Sequence, residues 1–217
     1  MFKVLLMMML MFVSPALGQV DPAAISAAQD AEQLVVVAGT KGSDAMFSFY
    51  EKDEAGNWKE AISCPAYIGK NGWGKTREGD MKTPAGVYTF TMAFGINADP
   101  GSPMGYTQVD DTHYWVGDSN SDRYNQFVST RDYDAFDKKE SEHIIDYSQA
   151  YKYCLNISWN EDGTPKKGSA IFLHCYSKNK FTAGCVAVPE AVMREMVQRV
   201  KPGCVVVMDK AANIGKY

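Results

Sequence analysis

Two segments near the carboxyl end decide the fold, Ser169-Ala170-Ile171-Phe172-Leu173-His174 and Thr182-Ala183-Gly184-Cys185-Val186-Ala187-Val188-Pro189. Short apolar runs bounded by turn residues are typical of buried strands, so each segment predicts one strand. If the two strands are neighbours, His174 at the end of the first can meet Cys185 at the start of the second. An imidazole accepts a thiol proton and then stabilises the thiolate, which is the usual route to a nucleophilic cysteine.

Gly184 adds a second element of the same chemistry. Because glycine has no side chain, the backbone N–H groups of Gly184 and Cys185 are free to point at a developing oxyanion. Other interpretations stay open: His174 can be a satisfied core histidine, and Cys185 can form a disulfide with Cys175 or Cys204. A zinc site built from His174, Cys175 and Cys185 lacks the Cys-x-x-Cys pairs typical of zinc ligands, and no metal is expected.

The rest of the chain reads mainly as strands. Further strands or strand pairs are expected at 34–38, 45–52 with 58–62 as a hairpin, 87–90, 114–116, 153–159 and 204–208. Pro189 opens one helix, whose core face carries residues at i, i+3, i+4 and i+7, namely Met193, Met196, Val197 and Val200. Residues 19–33 read as a short helix or a loose N-terminal arm.

Residues 95–150 form the longest irregular stretch, and long loops in compact domains are usually functional. We interpret the stretch as an insertion or lid over the active cleft. Four of its residues have polar or aromatic side chains suited to holding a peptide or sugar: Trp115, Asp118, Tyr124 and Asn125. His143, in the same stretch, is better explained as a hydrogen-bonded structural residue.

The amino terminus predicts export. Lys3 precedes a short apolar block that ends before Ala16 and Gly18, the small residues of a signal-peptidase site, so residues 1–18 are expected to be cleaved as a signal peptide. The block is too short to span a bilayer, so no stable membrane insertion is expected after cleavage. The protein should then lie in the periplasm, cell envelope or extracellular space.

Composition and cysteine count narrow the partners. The net charge is −4 and the basic residues are dispersed, which argues against nucleic acid as a partner. Five cysteines leave at least one thiol unpaired, and an exported chain meets an oxidising compartment. If Cys185 is reactive, three disulfide pairings remain possible for the other four, which are Cys64, Cys154, Cys175 and Cys204. All four can equally be reduced and buried.

The two opening segments resemble the catalytic segment of the L,D-transpeptidase (YkuD-type) domain family, which carries a histidine, a spacer and then Ser/Thr-His-Gly-Cys. The stretch Asp80-Met81-Lys82-Thr83-Pro84-Ala85-Gly86-Val87-Tyr88 is similar to the Thr-Pro-x-Gly-x-Phe/Tyr strand entry of the same family. The resemblance covers roughly residues 34–209. Two features depart from the family pattern: Ala183 replaces a second histidine, and the spacer from His174 to Cys185 is short.

The resemblance implies a mainly β domain over residues 34–217, a curved sheet or sandwich with one packed helix. It implies Cys185 as nucleophile, His174 as base and Gly184 with Cys185 as oxyanion donors. Thr182 is expected to support the loop and to belong to the substrate-binding residues. The implied partners are peptidoglycan stem peptides, with no cofactor, and the reactions are transpeptidation or carboxypeptidation through a thioester. A cysteine endopeptidase, a non-catalytic wall-binding module and a disulfide-stabilised structural domain are the alternatives.

Overall fold

A computed structural model describes residues 20–132 and 135–217. The strands are β1 (Gln33–Lys41), β2 (Asp44–Lys52), β3 (Trp58–Tyr67), β4 (Gly86–Gly95), β5 (Thr107–Gln108), β6 (His113–Trp115), β7 (Phe127–Ser129), β8 (Glu142–His143), β9 (Cys154–Ile157), β10 (Phe172–Cys175), β11 (Val186–Val188) and β12 (Val205–Lys210). Within the described residues, α1 (Glu190–Arg199) is the only α-helix, and short 3-10 helices occupy Pro22–Ala24, Ser26–Ala28, Ile144–Asp146 and Ala211–Lys216. The prediction of a mainly β domain with one packed helix is confirmed.

The main sheet curves until it closes on itself, and we call the closed sheet the barrel. Its strands follow the order β12-β1-β2-β3-β11-β10-β9-β4-β5, and β12 also pairs with β4. Most neighbours are antiparallel, but three pairs run parallel: β1 with β12, β10 with β11, and β4 with β5. Closure leaves no long exposed edge among these strands, which removes a common route to aggregation.

Strand β1 is buried on both faces, which explains its continuous apolar sequence. Val35 and Val37 point into the core that the closed sheet encloses, whereas Leu34 and Val36 belong to a second cluster outside it. A strand covered on both faces reads as an unbroken apolar run instead of alternating with polar residues. The run at 34–38 therefore predicted a buried strand correctly, and the structure extends it.

The N-terminal segment provides that outer cover. Ile25 and Ala28 are buried in the second cluster, together with Ile214 of the C-terminal 3-10 helix. The Ala27 amide donates to the Tyr217 carbonyl at 2.7 Å, so the two ends of the described chain are joined. Within this segment the chain forms two short 3-10 helices, and Ile25 and Ala28 provide its buried contacts with the second cluster.

Helix α1 packs as its sequence predicted. Met193, Met196, Val197 and Val200 are all buried and join the main core, where the helix lies against β9 and β10. Burying each of these side chains contributes about 1.5–3 kcal/mol. The helix is thereby fixed behind the strand that carries His174.

The insertion folds as a lobe that packs against β10 of the main sheet. Strands β7, β6 and β8 form a separate three-stranded sheet, of which only the β6 region was expected from sequence. An aromatic cluster joins the lobe to the barrel, because Trp115 packs against Phe172 of β10 with ring centroids 4.7 Å apart. No helix in the described part of the chain is both long and apolar enough to cross a bilayer. The predicted signal peptide lies outside the described residues.

Candidate active site

Strands β10 and β11 bring His174 and Cys185 to one cleft. The parallel register places His174 opposite Ala187. Cys185 precedes Ala187 by two residues, so it projects from the same face of the sheet, diagonal to His174. Both side chains line an open cleft of about 770 Å³, whose opposite wall is the insertion lobe.

Cys185 is almost fully buried at the base of this cleft, with 7% of its surface exposed. Its Sγ donates to the Ala170 carbonyl at 3.2 Å and accepts from the Phe172 amide at 3.3 Å. Burial raises the pKa of the thiol to about 12, and the nearby charge of Glu142 acts in the same direction. In the unliganded site, Cys185 is therefore a neutral thiol held by the backbone of the strand beside it.

His174 has a fixed tautomer. Its Nδ1 lies 2.7 Å from the Cys175 carbonyl oxygen, which can only accept, so Nδ1 carries the proton. Nε2 is consequently the basic nitrogen, and Tyr151 packs edge-on against the ring at 5.5 Å. Burial lowers the pKa of His174 to about 4, so the imidazole is neutral at ordinary pH.

The two pKa values define the chemical problem that the site must solve. Moving the Cys185 proton to His174 in the unliganded cleft is unfavourable, because burial disfavours both the thiolate and the imidazolium. The pair is therefore not a preformed thiolate–imidazolium ion pair. Proton transfer becomes feasible only if it is coupled to attack on a carbonyl, where the new charge moves to an oxygen that donors can stabilise.

The predicted oxyanion donors are not equivalent. The Gly184 amide donates to Thr182 Oγ1 at 3.1 Å, whereas the described structure gives the Cys185 amide no acceptor in another residue. Thr182 Oγ1 also donates to the Cys185 carbonyl at 2.7 Å, so this side chain joins two points of the loop that carries the nucleophile. Gly184 is required for a steric reason as well, because a Cβ there would lie 2.8 Å from the Lys82 carbonyl oxygen.

Thr83 is a supporting residue that the sequence analysis did not assign. Its buried Oγ1 accepts from the Gly69 amide at 2.8 Å and lies 3.4 Å from the Cys185 carbonyl oxygen, to which it donates. The Thr-Pro turn thus holds the backbone of the nucleophile loop in place. The Thr-Pro-x-Gly motif was recognised in the sequence, but its contact with Cys185 depends on the register of distant segments.

Two charged side chains in the cleft wall were also missed. Lys75 is buried and forms an ion pair with Asp80 at 3.2 Å. Glu142 accepts from the Tyr151 hydroxyl at 2.6 Å, and burial raises the pKa of its carboxyl group to about 7. Charged residues are usually exposed, so sequence alone gave no reason to place either one beside a nucleophile.

Of the four loop residues predicted to hold substrate, the structure places only Trp115 in the cleft wall. The other three have structural partners instead. Asn125 accepts from the Trp115 indole and the Ala170 amide, and the Tyr124 hydroxyl donates to Glu78. Asp118 accepts from the Asn120 amide in its own loop and from the Asp137 amide elsewhere in the lobe. The polar groups of Tyr124 and Asn125 link the lobe to the rest of the domain, which composition could not reveal.

The remaining candidates from the sequence have other roles. Both ring nitrogens of His143 are engaged, Nδ1 with Asp146 at 3.1 Å and Nε2 with the Asp111 carbonyl at 3.0 Å. All five cysteines are free and buried. Among residues 20–132 and 135–217, no group of three or more His, Cys, Asp or Glu side chains is arranged to hold a metal ion.

Comparison with solved structures finds matches at low sequence identity. An L,D-transpeptidase from Mycobacterium smegmatis is 13% identical with a TM-score of 0.39, over 82% of this chain and 58% of that one. The Ldtfm–avibactam carbamoyl enzyme is 14% identical with a TM-score of 0.39, over 82% of this chain and 49% of that one. This chain thus spans roughly half to three-fifths of the length of these structures.

Comparison with sequences gives the family. No curated protein matches the chain. The family model for the L,D-transpeptidase catalytic domain, YkuD, matches residues 34–208, which include every strand of the closed sheet apart from the ends of two, and both cleft residues His174 and Cys185. The chain belongs to the L,D-transpeptidase catalytic domain (YkuD) family.

Proposed function

We propose that this protein is an exported cysteine acyltransferase that acts on peptidoglycan stem peptides. The observation that carries the proposal is the shared cleft of Cys185 and His174, in which His174 presents Nε2 as its basic nitrogen. Membership of the L,D-transpeptidase family supports the substrate class. The open cleft is large enough for a peptide segment. The wall formed by the insertion carries aromatic and acidic side chains, and the opposite wall carries Lys75 and Lys178.

The first half-reaction forms a thioester. The Cys185 proton passes to His174 Nε2 while Sγ attacks the carbonyl carbon between an L-centre and a D-residue, and the carbonyl π electrons move to oxygen. When this oxyanion collapses, the C–N bond breaks. The leaving amine takes the proton from His174, which returns to its neutral form.

The second half-reaction repeats these steps in reverse. An acceptor amine attacks the thioester, loses its proton to His174, and displaces the Cys185 sulfur, which takes that proton back. The result is a cross-link, whereas water as the acceptor gives a trimmed peptide. Neither step changes an oxidation state, and the acyl group and one proton are the only species exchanged.

The test uses the mature chain, Cys185→Ala and a control, Cys64→Ala, which removes a different buried thiol remote from the cleft. Each protein is incubated with tetrapeptide muropeptides, and both products and intact protein mass are followed. We expect release of the terminal D-residue and a covalent adduct with the native protein and Cys64→Ala, but not with Cys185→Ala.

The outcome also separates the alternatives. Cross-linked dimers would indicate transfer, and trimmed monomers would indicate carboxypeptidation. Cleavage inside the stem at another bond would favour a cysteine endopeptidase. If the native protein binds muropeptides but forms neither adduct nor product, the acyltransferase proposal fails and a wall-binding module takes its place.

A further inference from the structure

The Lys75 side chain is buried in a position that its ion pair with Asp80 alone does not require. Asp80 is only five residues away in the same loop, so a pair between them needs no deep burial. The side chain instead passes over Gly168, where a Cβ would lie 2.3 Å from Lys75 Cε. Two glycines mark the two ends of this path, because Lys75 Nζ lies 3.6 Å from the position that a Cβ on Gly184 would occupy.

The ammonium group has capacity left for another acceptor. Lys75 Nζ donates to Asp80 Oδ1 at 3.2 Å and to the Arg77 carbonyl at 3.3 Å. An ammonium has three N–H donors, so one remains. Its carboxylate partner is held in place, since Asp80 also accepts from the amides of Thr76 and Lys82 at 2.8 and 3.0 Å.

The predicted oxyanion site has one backbone donor fewer than expected. Of the two backbone donors expected there, the Gly184 amide is committed to Thr182, which leaves only the Cys185 amide. Transition states of acyl transfer are stabilised by donors aimed at the position of the oxyanion, and a cation in a partly dry cleft is a strong donor. Lys75 Nζ sits beside Gly184 on the cleft wall, where such a donor is missing.

We propose that Lys75 is a catalytic residue of this domain, whose ammonium group stabilises negative charge on the Cys185 sulfur and then on the oxyanion of the tetrahedral intermediate. The inference rests on the acyl transfer proposed above. No proton leaves Lys75 in either half-reaction, and the group acts only by charge and hydrogen bonding. The same charge opposes the rise in the pKa of the Cys185 thiol that burial causes.

The decisive comparison uses two variants of opposite electrostatic effect. Lys75→Met removes the positive charge at similar length, whereas Asp80→Asn keeps an acceptor oxygen but removes the neutralising negative charge. The control is Lys59→Met, which disrupts an exposed Lys–Asp pair of the β2–β3 hairpin, Lys59 with Asp53 at 3.0 Å. Thermal unfolding of each protein checks that it is folded.

The first readout is the rate of Cys185 alkylation by iodoacetamide between pH 7 and 10, with the site identified by peptide mapping. We expect alkylation to slow about tenfold in Lys75→Met and to accelerate in Asp80→Asn, with Lys59→Met unchanged. If the Lys75–Asp80 ion pair has only a structural role, Lys75→Met and Asp80→Asn should change the alkylation rate in the same direction. Such a result, or no change in Lys75→Met, would overturn the proposal.

The second readout is acylation of Cys185 by an activated ester such as p-nitrophenyl acetate, which needs no peptidoglycan. Lys75→Met should acylate about 100-fold more slowly, the effect typical of a lost oxyanion donor. If the native protein ignores muropeptides but the two variants still respond in opposite directions, the proposed substrate fails and the role of Lys75 stands. If Lys75→Met fails to fold, the acceleration expected of Asp80→Asn still decides the question.

Discussion

At the residue scale, Glu142 carries the clearest pH dependence of the cleft. Burial raises the pKa of its carboxyl group from 4.5 to about 7, and the hydrogen bond from Tyr151 offsets this only in part. The folded protein therefore binds this proton more tightly than the unfolded chain does. Stability is lost as pH rises from about 4.5 through 7, by at most about 3 kcal/mol.

We predict that Glu142→Gln stabilises the protein at pH 8 and leaves it nearly unchanged at pH 4. The amide keeps an oxygen acceptor for the Tyr151 hydroxyl but has no charge to bury. Urea unfolding at both pH values measures the difference, with Glu140→Gln as a control at an exposed carboxylate on the same segment. Equal effects of Glu142→Gln at the two pH values would contradict the explanation.

At the element scale, side-chain hydrogen bonds hold the loops around the nucleophile together. Thr83, at the entry to β4, bonds both to the Gly69 amide and to the Cys185 carbonyl. We predict that Thr83→Val lowers the free energy of unfolding by about 1–3 kcal/mol, because a buried amide loses its acceptor. The displaced Cys185 backbone should also slow acylation.

Chemical denaturation and the rate of acylation by an activated ester together test this prediction. Thr89→Val is the matched control, since Thr89 is exposed on β4, the strand that follows the turn of Thr83, and a change there is expected within about 0.5 kcal/mol. If Thr83→Val were as stable as the native protein, the contact between the Thr-Pro turn and the nucleophile loop would not contribute to the free energy of unfolding.

The same scale shows what sequence could and could not predict. Long apolar runs and the periodicity of α1 are local signals, so β1, β10, β11 and the core face of the helix were found. Strands β7 and β8 have three and two residues, too short for any periodic pattern. The partners of Asn125 and Tyr124 outside the lobe lie 34 to 46 residues away, so the roles of these two residues as links between lobe and barrel have no local signature.

The candidate site divides in the same way. Cys185, His174 and Thr182 lie within one short stretch that has a recognisable order, and the structure brings the first two to one cleft. Lys75 and Glu142 enter the cleft from a different loop and from the insertion lobe. Their effect depends on burial, which arises only when these parts are packed together.

At the scale of the whole molecule, the five buried thiols make the fold sensitive to alkali. Burial raises the pKa of Cys64, Cys185 and Cys204 to about 12 and that of Cys175 to about 11, and Cys154 is shifted upward too. In the unfolded chain these thiols ionise near pH 8.5. Above that pH the unfolded state releases protons that the folded state retains, so stability falls as pH rises.

We predict cooperative unfolding between about pH 10 and 11. Each retained proton costs about 1.4 kcal/mol per pH unit, so five thiols together cost about 7 kcal/mol per unit, comparable with the whole stability of a typical domain. Urea unfolding at pH 8, 9 and 10 gives the slope. The double variant Cys64→Ala, Cys204→Ala should reduce that slope by about two-fifths, although it starts from a lower stability because two small cavities are created. The four thiols outside the cleft, Cys64, Cys154, Cys175 and Cys204, should react with a disulfide reagent only after unfolding. A total count below five in the unfolded protein would show that cysteines pair and would remove the basis for the alkaline transition.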